Sequence, residues 1–225
     1  MTIIIDRRSL VLAGSFGIGA LAMGGAARAQ ALLTARGFTH NVASGEPGPD
    51  SILLWTRYVP ADGGDVQLTA ELSETPDFRK KTSGGAGASR ADDHTARVVV
   101  GGLQPGRTYY YRFIAPDGAV SPVGRTRTLP AGPVERFGLG VFSCANLPYG
   151  WFNAYAHAAA RDDIDLMVHL GDYIYEYQRG YYPGADQAIA GRLIEPAGEA
   201  IRLADYRLRY SSYRTDPDLQ RLHQM

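Results

Sequence analysis

The sequence predicts an all-β sandwich followed by the opening βαβ part of an α/β sheet. Between residues 38 and 128, short β-branched and aromatic runs alternate with clusters of Gly, Pro, Asp and Ser, at the spacing of an antiparallel sandwich. After residues 129–133, Leu-Pro-Ala-Gly-Pro, the pattern changes to apolar strand, helix and apolar strand. We therefore expect two domains, residues 31–130 and 134–225, behind an N-terminal segment of residues 1–29.

The N-terminal segment predicts export. Arg7 and Arg8 precede a run of apolar and small residues that closes at Ala27-Arg28-Ala29. Paired arginines, a moderately apolar middle and an Ala-x-Ala site resemble a twin-arginine signal peptide, with cleavage after Ala29. As a membrane anchor the run is too short and too rich in glycine, because a spanning helix needs ~20 apolar residues. We expect a bacterial periplasmic or secreted protein that uses the twin-arginine export machinery and keeps no stable membrane anchor after cleavage.

The sandwich is predicted from its clearest strands, whose β-branched and aromatic residues suit a half-buried sheet. These strands cover residues 51–58, 66–72, 96–100 and 108–114. Tyr109 follows the Pro105-Gly106 turn, as in the tyrosine corner of immunoglobulin-like and fibronectin type III sandwiches. Residues 82–93 are rich in Gly, Ala and Ser and predict a mobile loop.

The second domain begins with a βαβ pattern. Residues 137–142 and 164–170 predict apolar strands, and residues 152–161 between them predict a helix. Connection rules make such strands parallel neighbours. Since no further strand is predicted, this sheet lacks neighbours to cover its edges.

The rest of the second domain predicts no further sheet. Residues 177–199 are polar and contain glycine, which predicts an irregular surface excursion near the end of the second strand. Residues 203–225 predict a helix that Asp216-Pro217 divides into two.

Charge and cysteine content exclude some classes of function. The formal net charge is zero and the basic residues are scattered, so nothing resembles the Lys/Arg stripe that contacts a phosphate backbone, and we expect no nucleic acid partner. Cys144 is the single cysteine, which excludes an intramolecular disulfide. A lone thiol is a small buried hydrophobe, an intermolecular disulfide partner or a ligand, and its position after a strand favours the ligand.

Two potential ligands follow the two parallel strands. Cys144 comes just after the first strand, and Gly171-Asp172 comes just after the second. Ligands bind outside the carboxyl ends of parallel strands, so both side chains are expected at the same rim of the sheet. Gly171 permits a sharp turn, and the Asp172 carboxylate offers hard oxygen ligands to a metal ion.

The tyrosines after Asp172 leave two alternatives open. Tyr175 would share a face with Asp172 if the chain makes a helical turn there. The alternation of Tyr173, Tyr175 and Tyr177 also fits aromatic residues packed on a strand extension. His169 could be a ligand, but its place inside the strand favours a buried, hydrogen-bonded structural role.

Several motifs together resemble a known family. They are Val-Ala-Ser-Gly-Glu-Pro at residues 42–47, Leu-Trp-Thr-Arg at 54–57, Gly-Arg-Thr-Arg-Thr at 124–128, Phe-Ser-Cys-Ala-Asn at 142–146, His-Leu-Gly-Asp-Tyr-Ile-Tyr-Glu-Tyr at 169–177 and Asp-Tyr-Arg-Leu-Arg-Tyr at 205–210. The chain resembles the alkaline phosphatase D (PhoD-like) phosphatases and phosphodiesterases over nearly all residues after the export signal.

The resemblance implies a fold and a chemistry for the second domain. Residues 134–225 would open a metallophosphatase (calcineurin-like) domain whose site is similar to that of purple acid phosphatases, with Fe³⁺ and Ca²⁺. By motif, Cys144 would bind iron as thiolate, Asp172 would bridge two metals, and Tyr175 would bind iron as phenolate. A highly charged cation deprotonates thiol and phenol, and a metal-activated oxygen nucleophile would then attack the phosphorus of a phosphate ester.

The family continues into an Asp-Asp-His segment and further Asn, His and Asp ligands, which this sequence does not contain. We therefore expect an N-terminal fragment whose metallophosphatase domain is incomplete and whose residues cannot form a dinuclear cage alone. The alternative is an exported β-sandwich protein that binds a partner at the cell envelope and carries a vestigial second domain. The residues leave open whether the substrate is a monoester or a diester.

Overall fold

The computed structural model describes residues 25–225. Arg7, Arg8 and most of the predicted export signal lie outside the described residues, and helix α1, Gly25–Thr34, contains Ala29, the predicted cleavage position. Within residues 25–225, no helix has both the length and the apolar character needed to span a membrane.

Two antiparallel sheets form the sandwich, as the sequence predicted. One sheet has the order β1-β2-β5 and the other the order β4-β3-β6-β7. The strands are β1 Gly37–Gly45, β2 Ser51–Val59, β3 Val66–Ser73, β4 Lys81–Ala88, β5 Thr95–Gly101, β6 Thr108–Ile114 and β7 Gly124–Arg127. Alternate side chains of β6 are buried, as expected where one face of a strand meets the core. The core between the sheets includes Val42, Leu54, Leu68, Tyr111 and Phe113.

The tyrosine corner is present. The main-chain N–H of Gln104 donates to the Tyr109 hydroxyl oxygen at 2.9 Å. Gly106 has φ 63°, in the left-handed region that glycine adopts without a steric penalty, so the turn before β6 can be tight. The turn is joined to the end of the sandwich because the N–H of Gly106 donates to the carbonyl of Leu129 at 3.0 Å.

The predicted loop at residues 82–93 is wrong over its first half. Strand β4 pairs antiparallel with β3, from Lys81 opposite Ser73 to Ala88 opposite Val66. Its glycines and alanines have low β-propensity, but an edge strand needs only main-chain partners on one side, and β3 supplies them.

The second part of the chain contains the predicted βαβ unit. Strands β8 Leu139–Phe142 and β9 Leu166–His169 are parallel, with Leu139 opposite Leu166 and Phe142 opposite His169. Helix α2, Asn153–Ala159, connects them after a short 3₁₀ turn. Leu139 and Val141 are 55% and 56% exposed, so one face of this pair of strands has little cover from the described residues.

Two further helices complete the second core. Helix α3 is Leu203–Arg214 and helix α4 is Pro217–His223, so the chain divides where Asp216-Pro217 predicted. The Asp216 carboxylate accepts hydrogen bonds from the N–H groups of Asp218 and Leu219, at 2.9 and 3.1 Å, and caps α4. The core beneath the βαβ unit includes Leu147, Phe152, Tyr155, Ile194, Tyr213, Leu219 and Leu222.

Residues 177–199 contain no helix or strand, but the prediction of a surface excursion is wrong for part of them. Arg192, Ile194 and Glu195 are buried. Arg192 donates to the carbonyl of Leu147 at 2.9 Å and to the Asp216 carboxylate at 3.0 Å, which holds this segment against the second core. The packing depends on distant residues, so local composition did not indicate it.

Helix α3 also contacts the sandwich. The Ser211 hydroxyl lies 2.9 Å from Nε2 of His40, and Arg214 donates to the carbonyl of His40 at 2.8 Å. His40 and Arg214 are both buried, so the two parts of the chain share an interior contact.

Candidate metal centre

Cys144 and Asp172 lie side by side at the carboxyl ends of β8 and β9. The N–H of Cys144 donates to the carbonyl of Gly171 at 3.1 Å, and the N–H of Ala145 donates to the carbonyl of Asp172 at 2.8 Å. These bonds continue the pairing of the parallel strands past their ends. Both side chains are exposed at the rim, where a ligand can reach them.

Two side chains converge on one carboxylate oxygen of Asp172. Sγ of Cys144 and the hydroxyl oxygen of Tyr175 each lie 3.4 Å from Oδ2 of Asp172. An O–H···O hydrogen bond is about 2.5–3.0 Å long, so the phenol approaches the carboxylate without a tight bond to it. The structure therefore brings together the three residues to which the family resemblance assigned a metal.

Neither alternative for the backbone around Tyr175 was right. Residues 172–177 form no helix and no strand, and an irregular bend brings Tyr175 back to Asp172. The neighbouring tyrosines have other partners. The Tyr173 hydroxyl lies 2.9 Å from Nε2 of His223, and the Tyr177 ring stacks on Tyr175 with 6.1 Å between ring centroids.

The backbone is strained at both strand-end residues. Cys144 has φ 60° and Asp172 has φ 50°, in the left-handed region that costs a residue with a Cβ about 1–2 kcal/mol. Gly171 between the strand and Asp172 has φ 134°, which glycine tolerates. Such conformations persist where surrounding contacts impose them, and they cluster at functional sites.

The surroundings favour the protonated phenol when no cation is present. Burial raises the pKa of Tyr175 above its usual range, and the neighbouring Cys144 and the Asp172 carboxylate raise it further. A bound cation would have the opposite effect, because it stabilises phenolate and thiolate.

His169 makes the hydrogen bonds of the predicted structural role, but it is half-buried rather than buried. Nε2 lies 3.0 Å from the Tyr155 hydroxyl, and Nδ1 lies 3.4 Å from the N–H of Gly171. Burial lowers the pKa of His169, and the Asp172 carboxylate partly opposes that shift. Both ring nitrogens therefore have partners within the protein.

An aromatic pocket adjoins the site, and sequence reasoning missed it. The pocket has a volume of about 350 Å³, and Cys144 and Tyr175 are among the residues that line it. Tyr149, Trp151 and Tyr182 line it and are each about half exposed. Tyr149 and Trp151 are more than 30 residues from Tyr182 along the chain, so no local pattern indicated that these rings would meet.

Matches to known proteins cover both parts of the chain. The model of the PhoD-like phosphatase N-terminal domain matches residues 25–130, and the model of the PhoD-like phosphatase itself matches residues 139–225. The chain belongs to the PhoD-like phosphatase family. By family it is therefore grouped with hydrolases of phosphoric esters.

Relatives of this PhoD-like chain are longer than it is. Alkaline phosphatase D of Bacillus subtilis (strain 168) is 37% identical over 196 residues, which are 83% of this chain and 33% of the relative. The solved structure of PhoD matches with a TM-score of 0.77 at 36% identity, over 85% of this chain and 38% of that one. The chain thus spans about a third of the length of its curated relative.

Proposed function

We propose that residues 139–225 supply one side of a metal-dependent phosphate-ester hydrolase centre, in which Cys144, Asp172 and Tyr175 bind iron. The observation that carries the proposal is the convergence of the cysteine sulfur and the tyrosine hydroxyl on one oxygen of Asp172, each at 3.4 Å. The left-handed φ angles of Cys144 and Asp172 support it, because backbone strain of this kind clusters at functional sites.

The donor set fits Fe³⁺ and does not fit Ca²⁺ alone. Thiol, carboxylate and phenol all become anionic donors beside a highly charged cation. Calcium takes about six to eight oxygen ligands, and of these residues Asp172 alone offers a carboxylate. Within residues 25–225, no cluster of three or more His, Cys, Asp or Glu side chains could hold a metal ion, so the third donor here is the phenol of Tyr175. The described residues therefore do not form a site for the Ca²⁺ that the family resemblance implied.

Each side chain has a role in this proposal. Asp172 has a second carboxylate oxygen, which is how one aspartate can bridge two ions. Cys144 and Tyr175, each 3.4 Å from Oδ2 of Asp172, would bind the ion as thiolate and phenolate. When bound, the metal supplies Lewis-acid polarisation of a phosphoryl oxygen and activation of an oxygen nucleophile.

The aromatic pocket supports a phosphate ester rather than inorganic phosphate as the substrate. Cys144 and Tyr175 line the same pocket as three further aromatic side chains, so the organic group of an ester bound at the centre would lie against them. These are Tyr149, Trp151 and Tyr182. The volume of about 350 Å³ suits a group of moderate size. Both monoesters and diesters fit this arrangement.

Iron binding by the chain and by a Cys144→Ala variant tests the proposal. We expect the wild-type chain to bind iron and to show phenolate-to-iron absorption in the visible range. Loss of one anionic ligand should weaken iron binding by at least about tenfold, which is 1.4 kcal/mol. Elemental analysis after dialysis against graded chelator measures the affinity, and p-nitrophenyl phosphate and its bis-ester measure turnover with and without chelator.

Ser143→Ala is the matched control, since Ser143 is an exposed neighbour of Cys144 and contributes no contact to the converging side chains. It should bind iron as the wild type does. Equal iron affinity in the wild type and in Cys144→Ala would remove Cys144 from the site.

We also propose export by the twin-arginine pathway. Arg7-Arg8 and the Ala27-Arg28-Ala29 site support it. Expressed in a bacterium with an intact pathway, the protein should accumulate in the periplasm or medium with Gln30 as its first residue. Replacement of both arginines by lysine should retain it in the cytoplasm, and unchanged export of that variant would contradict the proposal.

A further inference from the structure

Arg209 of α3 is fully buried and contacts the loop that carries Tyr175. A guanidinium has a fixed fork of N–H donors, and here every donor is used on a main-chain carbonyl. The acceptor carbonyls belong to Tyr175, Tyr177, Glu195, Pro196 and Gly198.

The bonds tie two irregular segments together. Nε donates to Glu195 at 3.0 Å, and Nη2 donates to Pro196 at 2.9 Å and to Gly198 at 3.0 Å. Nη1 donates to the carbonyls of Tyr175 and Tyr177, the latter at 3.0 Å. A buried cation is costly unless it is fully hydrogen-bonded, so this arrangement strongly favours one placement of the carbonyls around it.

The loop from Tyr175 to Tyr177 has no ladder of its own to fix it. The carbonyl of Glu176, between the two that Arg209 holds, accepts from the N–H of Ala200 at 2.9 Å. Arg209 of α3 and Ala200, just before α3, therefore hydrogen-bond to the three successive carbonyls of residues 175–177. While Arg209 binds the main-chain carbonyl of Tyr175, the hydroxyl at the tip of its side chain lies 3.4 Å from Oδ2 of Asp172.

We propose that Arg209 is a positioning residue, whose guanidinium fixes the main chain of Tyr175 and thereby places the phenol at the metal centre. The inference deepens the proposed function and rests on it, because the position of the phenol matters to chemistry only if Tyr175 is a ligand. Lysine cannot replace the arginine, since an ammonium is a point charge with fewer donors and no planar fork.

Arg209→Lys in the 225-residue chain tests the inference. We expect iron affinity about 10–100-fold lower than in the wild type, the loss that follows when a group that orients a ligand is removed. The phenolate-to-iron absorption should weaken or shift. In the metal-free protein, amide hydrogen exchange of residues 172–178 should be at least about tenfold faster, because the loop has lost its fixed partners.

Two other variants separate positioning from ligation and from general stability. Tyr175→Phe should abolish the phenolate absorption but keep the slow hydrogen exchange of the loop. Arg214→Lys changes another fully buried arginine of α3, one that faces His40 of the sandwich, and should leave iron absorption unchanged. A wild-type absorption spectrum and loop exchange in Arg209→Lys would overturn the inference and leave the proposed function standing. A wild-type chain that binds no iron would overturn the proposed function, and the exchange rates would still decide whether Arg209 holds the loop.

If Arg209→Lys does not fold, Arg209→Ala supplemented with ethylguanidinium provides the second measurement. Recovery of slow loop exchange on addition of the guanidinium would support the positioning role. A chain that stays unfolded, or a folded chain whose loop exchange does not respond, would overturn it.

Discussion

The left-handed φ angles of Cys144 and Asp172 show how the fold sets individual side chains at the rim. The N–H of Cys144 bonds to the carbonyl of Gly171, so the two strand ends hold each other in conformations that neither residue prefers. The strain costs the chain stability and orients Sγ of Cys144 towards Oδ2 of Asp172. Glycine would adopt either φ angle without this strain.

His40 is expected to make the chain less stable in mild acid. Its imidazole is 2% exposed, and burial, with Arg57 and Arg214 nearby, lowers the pKa of His40 to about 3. An unfolded histidine takes up a proton near pH 6.5, so between pH 6.5 and about 3 the unfolded state binds more protons than the folded one. The free energy of unfolding therefore falls as the pH falls through this window, by about 2 kcal/mol from pH 7 to pH 5.

Urea unfolding at pH 7 and pH 5 measures this effect. His40→Asn should show a smaller loss between the two pH values than the wild type, because the residue that titrates is gone. His157→Asn is the control, since His157 is exposed on α2. The same pH 7 to pH 5 loss in His40→Asn and the wild type would exclude His40 as the source.

At the scale of elements, strands with an apolar sequence pattern could be predicted, and a strand formed only by main-chain pairing could not. Strands β8 and β9 have apolar runs bounded by turn residues, and the sequence placed the βαβ unit and its rim correctly. Strand β4 consists largely of Gly, Ala and Ser, and exists because β3 offers it main-chain partners. The bend that returns Tyr175 to Asp172 depends on Arg209, which lies far along the chain, so only resemblance to a family could select Tyr175.

Gly138 lies just before β8, where the chain passes very close to the residues that lead into β9. Its carbonyl accepts from the N–H groups of Asp165 and Leu166, at 2.8 and 3.2 Å, where the chain enters β9. A Cβ on Gly138 would overlap the carbonyl oxygen of Asp163. Gly138→Ala should therefore separate the start of β8 from β9 and lower the free energy of unfolding by about 1–3 kcal/mol.

Chemical unfolding of Gly138→Ala and Gly132→Ala provides the comparison. Gly132 has open space where its Cβ would lie, so alanine there should change stability little. The Gly138 variant should also bind iron less tightly, because the rim that carries Cys144 and Asp172 moves with the strands. Equal stability of the two variants would show that the close approach at Gly138 does not affect the free energy of unfolding.

At the scale of the whole molecule, buried and exposed contacts join the sandwich to the second core. Arg214 is fully buried, donates to the carbonyl of His40 at 2.8 Å and lies 5.2 Å from the ring centroid of Trp55. The ion pair between Arg127 and Asp165 also crosses between the parts, but the Arg127 side chain is 48% exposed. Exposed ion pairs contribute less than about 1 kcal/mol, so the buried contact should dominate the coupling.

Arg214→Ala should uncouple the two parts, and the chain's two tryptophans can report on each part separately. Trp55 lies in β2 of the sandwich and Trp151 lies just before α2. Loss of the buried side chain and its hydrogen bond should cost about 3 kcal/mol. In Trp151→Phe and Trp55→Phe backgrounds, urea midpoints from the remaining tryptophan should coincide for the otherwise wild-type chain. With Arg214→Ala, the midpoint reported by Trp151 should fall below that reported by Trp55.

Arg127→Ala is the matched control for Arg214→Ala, because it removes a cation that also bridges the two parts but is half exposed. Its midpoints should stay coincident, since solvent already screens the pair with Asp165. If Arg127→Ala separated the two transitions and Arg214→Ala did not, the surface ion pair would couple the parts. The buried arginine would then be a consequence of docking rather than its cause.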